Sequence, residues 1–102
     1  SMQASITKES GTAEVRLSGR FDFNAHRDFR NAYEPLMAES DIRAVTIDMG
    51  GVEYLDSSAL GMLLMLRDKA GAANKALTLT NVRGPVKQVL EIANFGKLFR
   101  IA

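Results

Sequence analysis

The chain has 102 residues, 46% of them hydrophobic, with thirteen basic and twelve acidic side chains, one histidine and no cysteine. That length carries a single core and one domain, and the balanced charge, without a run of either sign, leaves no footprint for a nucleic-acid backbone or an acidic membrane. The absence of cysteine excludes disulfides, thiolate chemistry and cysteine-ligated zinc, and His26 alone leaves little for an imidazole metal site, so no cofactor or metal is expected.

No apolar run reaches the roughly 18 residues of a membrane span, and "MQASITKES" lacks the apolar middle of a signal peptide, so direct membrane insertion is not expected and a soluble, cytoplasmic protein is. Ser1 before Met2 reads as a cloning scar, which places the domain at residues 2–102. "ASITKE" and "AEVRLSG" alternate apolar and polar residues around the turn residues 10–12 and predict a hairpin with one wet face. Asn24 is then positioned to cap a helix through "AHRDFRNAYEPLMAES", in which Phe29, Tyr33, Leu36 and Met37 form one buried stripe and Pro35 is expected to kink or restart it.

"RAVTIDM", residues 43–49, reads as the central strand, with Val45 and Ile47 on one face and Gly50 and Gly51 ending it; "GGV" is then a flexible loop. A helix follows to about Ala70, where Gly71 is expected to break it, then the strand "KALTLTNV", and then a helix "PVKQVLEIAN" begun by Gly84 and Pro85. "KLFRIA" predicts a short edge strand, while Phe95, Leu98 and Phe99 either close the core or line an exposed apolar patch. The whole is an α/β domain, hairpin first and then alternating α and β, with a mixed sheet under helical cover.

The chemistry concentrates in "YLDSSALGMLLML", residues 54–66. A helix start needs one capping side chain, and Asp56, Ser57 and Ser58 stand in a row beyond the carboxyl end of the central strand, where open α/β sheets place their functional surface. Three readings follow from the residue types: all three only cap the helix; one serine caps and the other is modified; or a serine is a nucleophile. The last lacks the Gly-x-Ser-x-Gly pattern and an organised base, since His26 with Asp22 or Asp56 is only a set of residue types, and His26 reads as a surface side chain. No phosphate-cradling Gly-x-x-x-x-Gly-Lys-Ser/Thr loop is present, so any phosphoryl group must come from another protein. Residues 59–66 carry no polar side chain. Leu60, Leu63 and Leu64 are expected to pack on the sheet, and Met62, Met65 and Leu66, continued by Lys69, to form a partly exposed partner-binding face.

"DSSALGMLL", preceded by "VTIDMGGVEYL" and followed by a strand and "PVKQVLEIANFGKLFRI", resembles the STAS domain of bacterial anti-sigma-factor antagonists over most of the chain. "SGRFDFNA", residues 18–25, is similar to that family's Gly-x-Leu/Phe-Asp element. Ala59 stands where many members have glycine, Phe21 where leucine is common, and the chain reaches Ala102 without the family's usual last helix. The resemblance implies a single STAS-like domain with a mixed four- to five-stranded sheet.

It also implies partner switching by a protein that is not itself an enzyme. The unmodified antagonist binds an anti-sigma factor with GHKL-type serine kinase activity, phosphorylation ends that binding, and a PP2C-type phosphatase, in some systems a response regulator, restores it. Carried over by position, Ser57 is the phosphoacceptor, Ser58 its neighbour, and Asp22 and Asp56 the acids that position the loop. Two other classes remain open: an unphosphorylated accessory subunit docked on the ATPase of a lipid-transport ABC complex, and a hydrolase or small-ligand binder using the Ser57 loop.

Overall fold

The first chain reversal is a two-residue loop, Ser10 and Gly11, with φ of 52° and 83°. Positive φ at both positions matches the right-handed twist of the strands it joins. In the computed structural model, which describes residues Ser1–Ala102, these strands are β1 (Met2–Glu9) and β2 (Thr12–Phe21), paired antiparallel. There follow α1 (His26–Ala38), β3 (Ala44–Leu55), α2 (Ser57–Ala72), β4 (Ala76–Thr80), α3 (Gly84–Ile92) and β5 (Arg100–Ile101), with single 3-10 turns at Phe23–Ala25 and Phe95–Lys97. The five strands form one mixed sheet in the order β1-β2-β3-β4-β5, with every pair after the hairpin parallel. The α/β reading, the leading hairpin, the central strand and the terminal edge strand all hold.

The sheet has one apolar and one polar face. Ala13, Val15 and Leu17 of β2, Val45, Ile47 and Met49 of β3 and Leu79 of β4 join a single core cluster with Phe29, Tyr33 and Leu36 of α1, Met62, Leu63 and Leu66 of α2, and Val86 and Leu90 of α3. The alternate residues Glu14, Arg16, Thr46, Asp48, Thr78 and Thr80 are half-buried or exposed. Phe95 and Phe99 close the core as a stacked pair with ring centroids 5.1 Å apart, while Leu98 stays partly outside. No helix is long and apolar enough to cross a membrane.

Four local expectations need correction. The central strand does not end at Gly50; β3 runs on to Leu55, because its register with β2 shifts between Arg16 and Ser18 and again between Gly19 and Arg20. Bulges let a strand continue through residues that break its alternation, and Gly51 fits there because a Cβ would come within 2.9 Å of the Leu17 carbonyl oxygen. Asn24 is not a cap; the Asp22 carboxylate accepts from the Asn24 N–H and sets the 3-10 turn that leads into α1.

Of the two outcomes expected at Pro35, a kink or a restart, the restart does not occur: α1 continues to Ala38. The carbonyl that loses its donor belongs to Asn31, an exposed residue whose backbone can turn to water, while Phe29, Tyr33 and Leu36 hold both turns to the core. Gly71 does not end α2; the left-handed residue after the helix is Asn74 at φ 58°, and the Lys75 N–H closes on the Ala70 carbonyl at 2.9 Å.

The division of α2 between core and solvent also differs from expectation. Its buried residues are Ala59, Met62, Leu63, Leu66 and Ala70, which recur at i, i+3, i+4, i+7 and i+11. Leu60 and Leu64 are only partly buried, and Leu66 is fully enclosed. An all-apolar segment fits more than one stripe, and the seat under β3 selects the one that includes the small Ala59 and Ala70. Leu66→Ala should therefore lower stability by about 2–5 kcal/mol in urea unfolding, whereas Met65→Lys, at a site 52% exposed, should change it by no more than about 0.5 kcal/mol. The opposite ranking would invert the assignment of the helix faces.

Candidate functional site

The β2–β3 register ends with Phe21 opposite Leu55, so Asp22 and Asp56 leave adjacent parallel strands side by side. The Asp56 N–H donates to the Phe21 carbonyl at 3.3 Å and ties the two exits together. Each acid then starts a helical turn. Asp22 Oδ1 accepts from the Asn24 N–H at 3.0 Å, and Asp56 Oδ1 accepts from the Ala59 N–H at 3.1 Å. The candidate acids are thus brought together, and both carboxylates are occupied by backbone amides and not by His26.

This arrangement decides which of the three capping candidates is used. Neither serine caps α2, contrary to the expectation that one would, because Asp56 already fills the position. Ser57 is the first residue of the helix and is exposed; Ser58 is the second and is half-buried. Both backbone amides belong to a first turn that has no intrahelical acceptor, at the positive end of the helix dipole, where an added anion is tolerated. The Ser57 hydroxyl is accessible and structurally unemployed.

Of the apolar α2 residues expected to form a partly exposed face, only Met65 is substantially exposed; Met62 and Leu66 belong to the core. Position on an all-apolar helix could not decide between them. Three surface residues at the loop end were not singled out from the sequence. Phe23, in the turn after β2, is 73% exposed, and Tyr54, the last residue but one of β3, is 41% exposed. The Arg20 guanidinium lies 4.1 Å from the centre of the Tyr54 ring, and its Nε is 3.6 Å from Asp22. Exposed Phe, Tyr and Arg are side chains that anchor protein interfaces. Phe21 and Phe23 flank Asp22 in "RFDFN" with the same strand parity, so alternation could not tell them apart; β2 ends at Phe21, and only the first enters the core.

No group of three or more His, Cys, Asp or Glu side chains is placed to hold a metal. Hollows of about 360 and 510 Å³ lie on the polar face of the sheet, lined by residues such as Ser5, Arg16 and Asp48 or Thr7, Glu14 and Thr46, and not at the serine loop. An exposed hydroxyl beside exposed aromatic side chains suits a macromolecular partner better than a small substrate.

A family model described as "Mlab, STAS domain" matches residues 4–100. A STAS-domain containing protein from Pseudomonas aeruginosa strain UCBPP-PA14 is 48% identical over 88 residues, which is 86% of this chain and 85% of that one. An anti-sigma factor antagonist from Mycobacterium paratuberculosis has the same fold, with a TM-score of 0.87 at 24% identity over 99% of this chain and 85% of that one. The phosphorylated form of the Bacillus cell fate determinant SpoIIAA follows at 0.72 and 19% identity, over 100% and 91%.

Because Asp56 alone caps α2, Asp56→Ala should cost about 1 kcal/mol in denaturant unfolding, while Ser57→Ala should fall within about 0.5 kcal/mol of the parent. A larger loss from Ser57→Ala would make the hydroxyl a structural group.

Proposed function

This chain belongs to the STAS domain family, and we propose that it is a binding module of the anti-sigma-factor antagonist type, not an enzyme, switched by phosphorylation of Ser57. In its unmodified form it binds an anti-sigma factor that is also a GHKL-type serine kinase and so releases a sigma factor; phosphorylation ends that binding, and a PP2C-type phosphatase resets it. The observation that carries this reading is the exposed Ser57 hydroxyl at the start of a helix whose cap is provided by its neighbour. The solved antagonists that share the fold, one of them a phosphorylated form, support it.

The chemistry is simple at this end. The partner brings ATP; the Ser57 hydroxyl oxygen takes the γ-phosphoryl group, its proton passes to a base on the kinase, and ADP leaves. The phosphatase returns the hydroxyl by hydrolysis. Phosphoserine carries about −1.5 to −2 charge and three acceptor oxygens, added here beside the Asp56 and Asp22 carboxylates. Asp22 and Asp56 act as positioning residues that hold the loop, and Ser58 completes its surface. A partner packed against Phe23, Tyr54 and Met65 would then have to desolvate clustered negative charge, without any refolding of the domain.

The same loop serves a second reading, an unphosphorylated STAS subunit seated on the ATPase of a lipid-transport ABC complex. The two aspartates hold the surface in shape with no modification at all, which that role requires.

Fragment-ion mass analysis of protein isolated from its own host separates the two. One phosphoryl group on Ser57 and none on Ser58, with a GHKL-type kinase retained by the unmodified form and bound at least about tenfold more weakly by Ser57→Asp, is the expected result. Ser57 unmodified across growth states, with an ABC ATPase recovered, would establish the second reading. Amide NMR of the phosphorylated domain should show shifts confined to the loop and the first turns of α1 and α2; a rearrangement at β1 or α3 would overturn the local switch.

A further inference from the structure

Between α1 and α2 lies a groove of about 150 Å³ that takes no part in the serine loop's own geometry. Its floor is apolar, with Phe29 and Met62 from the core and the exposed Met65 at one lip. Its polar lining is the Tyr33 hydroxyl and basic side chains. His26, Arg30 and Lys69 line it, and no carboxylate does. Asp68, next to Lys69, is exposed outside that lining.

The spacing of the two cations is set by a carboxylate already. Glu34 reaches Arg30 Nε at 3.4 Å and Lys69 Nζ at 3.6 Å, with all three side chains about half exposed. Ion pairs so exposed are weak, worth well under about 1 kcal/mol, and readily exchange partners. Burial raises the pKa of the Tyr33 phenol above its ordinary value, with Glu34 acting in the same direction and Arg30 against it. The groove therefore presents an apolar slot, a neutral hydroxyl and two cations held apart by one acid group.

The groove is also continuous with the switch. Ser58, Met62, Met65 and Lys69 stand at i, i+4, i+7 and i+11 along α2, one stripe that starts beside Ser57 and ends at the cationic rim. A volume near 150 Å³ equals about five waters of liquid, enough for one Leu, Met or Phe side chain and too little for a small-molecule cofactor.

We infer that this groove seats an acidic amphipathic helix of the kinase partner, one apolar side chain in the slot beside Met65 and a carboxylate one helical turn away that takes the place of Glu34 between Arg30 and Lys69. This rests on the partner-switching reading and adds to it the chemistry of the docked segment. An acidic segment laid along this stripe has its own end close to Ser57, so a phosphate there meets like charge at once. The switch thereby acts on a helix whose main anchorage is two turns from the modified atom.

Photo-cross-linking in the host tests this with the full chain, using p-benzoylphenylalanine introduced at Met65 and, in a separate strain, at Phe23. The expected product at Met65 is a partner peptide with an Asp or Glu three or four residues from the attachment point. Its yield should fall at least about threefold in Arg30→Gln with Lys69→Gln, and likewise in Ser57→Asp. The double variant changes only half-exposed side chains, and a circular-dichroism melt checks that it folds.

A cross-link at Phe23 without one at Met65 would overturn the groove while leaving the partner switch intact. A Met65 product lacking acids, or one indifferent to the two glutamine changes, would overturn it as well. No product from either position, with Ser57 unmodified, would remove the underlying reading and this inference together.

Discussion

The serine loop depends on how β3 pairs with β2. Strict alternation from Val45, Ile47 and Met49 would send Gly51 and Glu53 into the core and Val52 to the polar face. The two register shifts prevent this: buried positions step from Met49 to Val52 and then to Leu55, so the glutamate stays outside and the valine goes in. The same two extra residues lengthen β3 relative to β2 until Asp56 emerges level with Asp22 and its N–H meets the Phe21 carbonyl. Core packing and the geometry of the loop are thus consequences of one pairing.

Much of this was legible along the chain. The hairpin turn, the β-branched central strand and the Gly84–Pro85 helix start each have a local cause, and local causes survive into the fold. The misjudged features have non-local ones. β3 passes through Gly50 and Gly51 because β2 lies beside it; the face of α2 is chosen by the sheet beneath, since Met62, Leu63, Met65 and Leu66 are all apolar and only packing ranks them. Asp56, Ser57 and Ser58 stand in a row at one strand-to-helix turn, but which of them caps depends on backbone angles, and the extended conformation at Asp56 (φ −113°, ψ −177°) decides it. Phe23, Tyr54 and Arg20 went unnoticed because exposure of a large side chain leaves no trace in composition.

In this loop the groups that hold the structure and the hydroxyl proposed as phosphoacceptor are different atoms. The carboxylates of Asp22 and Asp56 fasten the two turns, and the core beneath them contains no buried polar or charged residue. The hydroxyl of Ser57 fastens nothing. A group that does no structural work can be esterified and released many times without drawing on the few kcal/mol that keep a domain of this size folded.

The antiparallel first strand has a further result. Because β1 runs back along β2, Met2 finishes opposite Gly19, and Ser1 passes so close to that residue (φ +90°) that a methyl group there would meet its carbonyl. Gly19 is in turn paired with Val52, three residues before Leu55. Met2 therefore lies at the same pole of the molecule as the Asp22 and Asp56 turns. Whatever is tethered there is brought to the surface around these turns over a leash of a few residues, each spanning at most about 3.6 Å. At that range even a weak ligand acts at high effective concentration beside those turns.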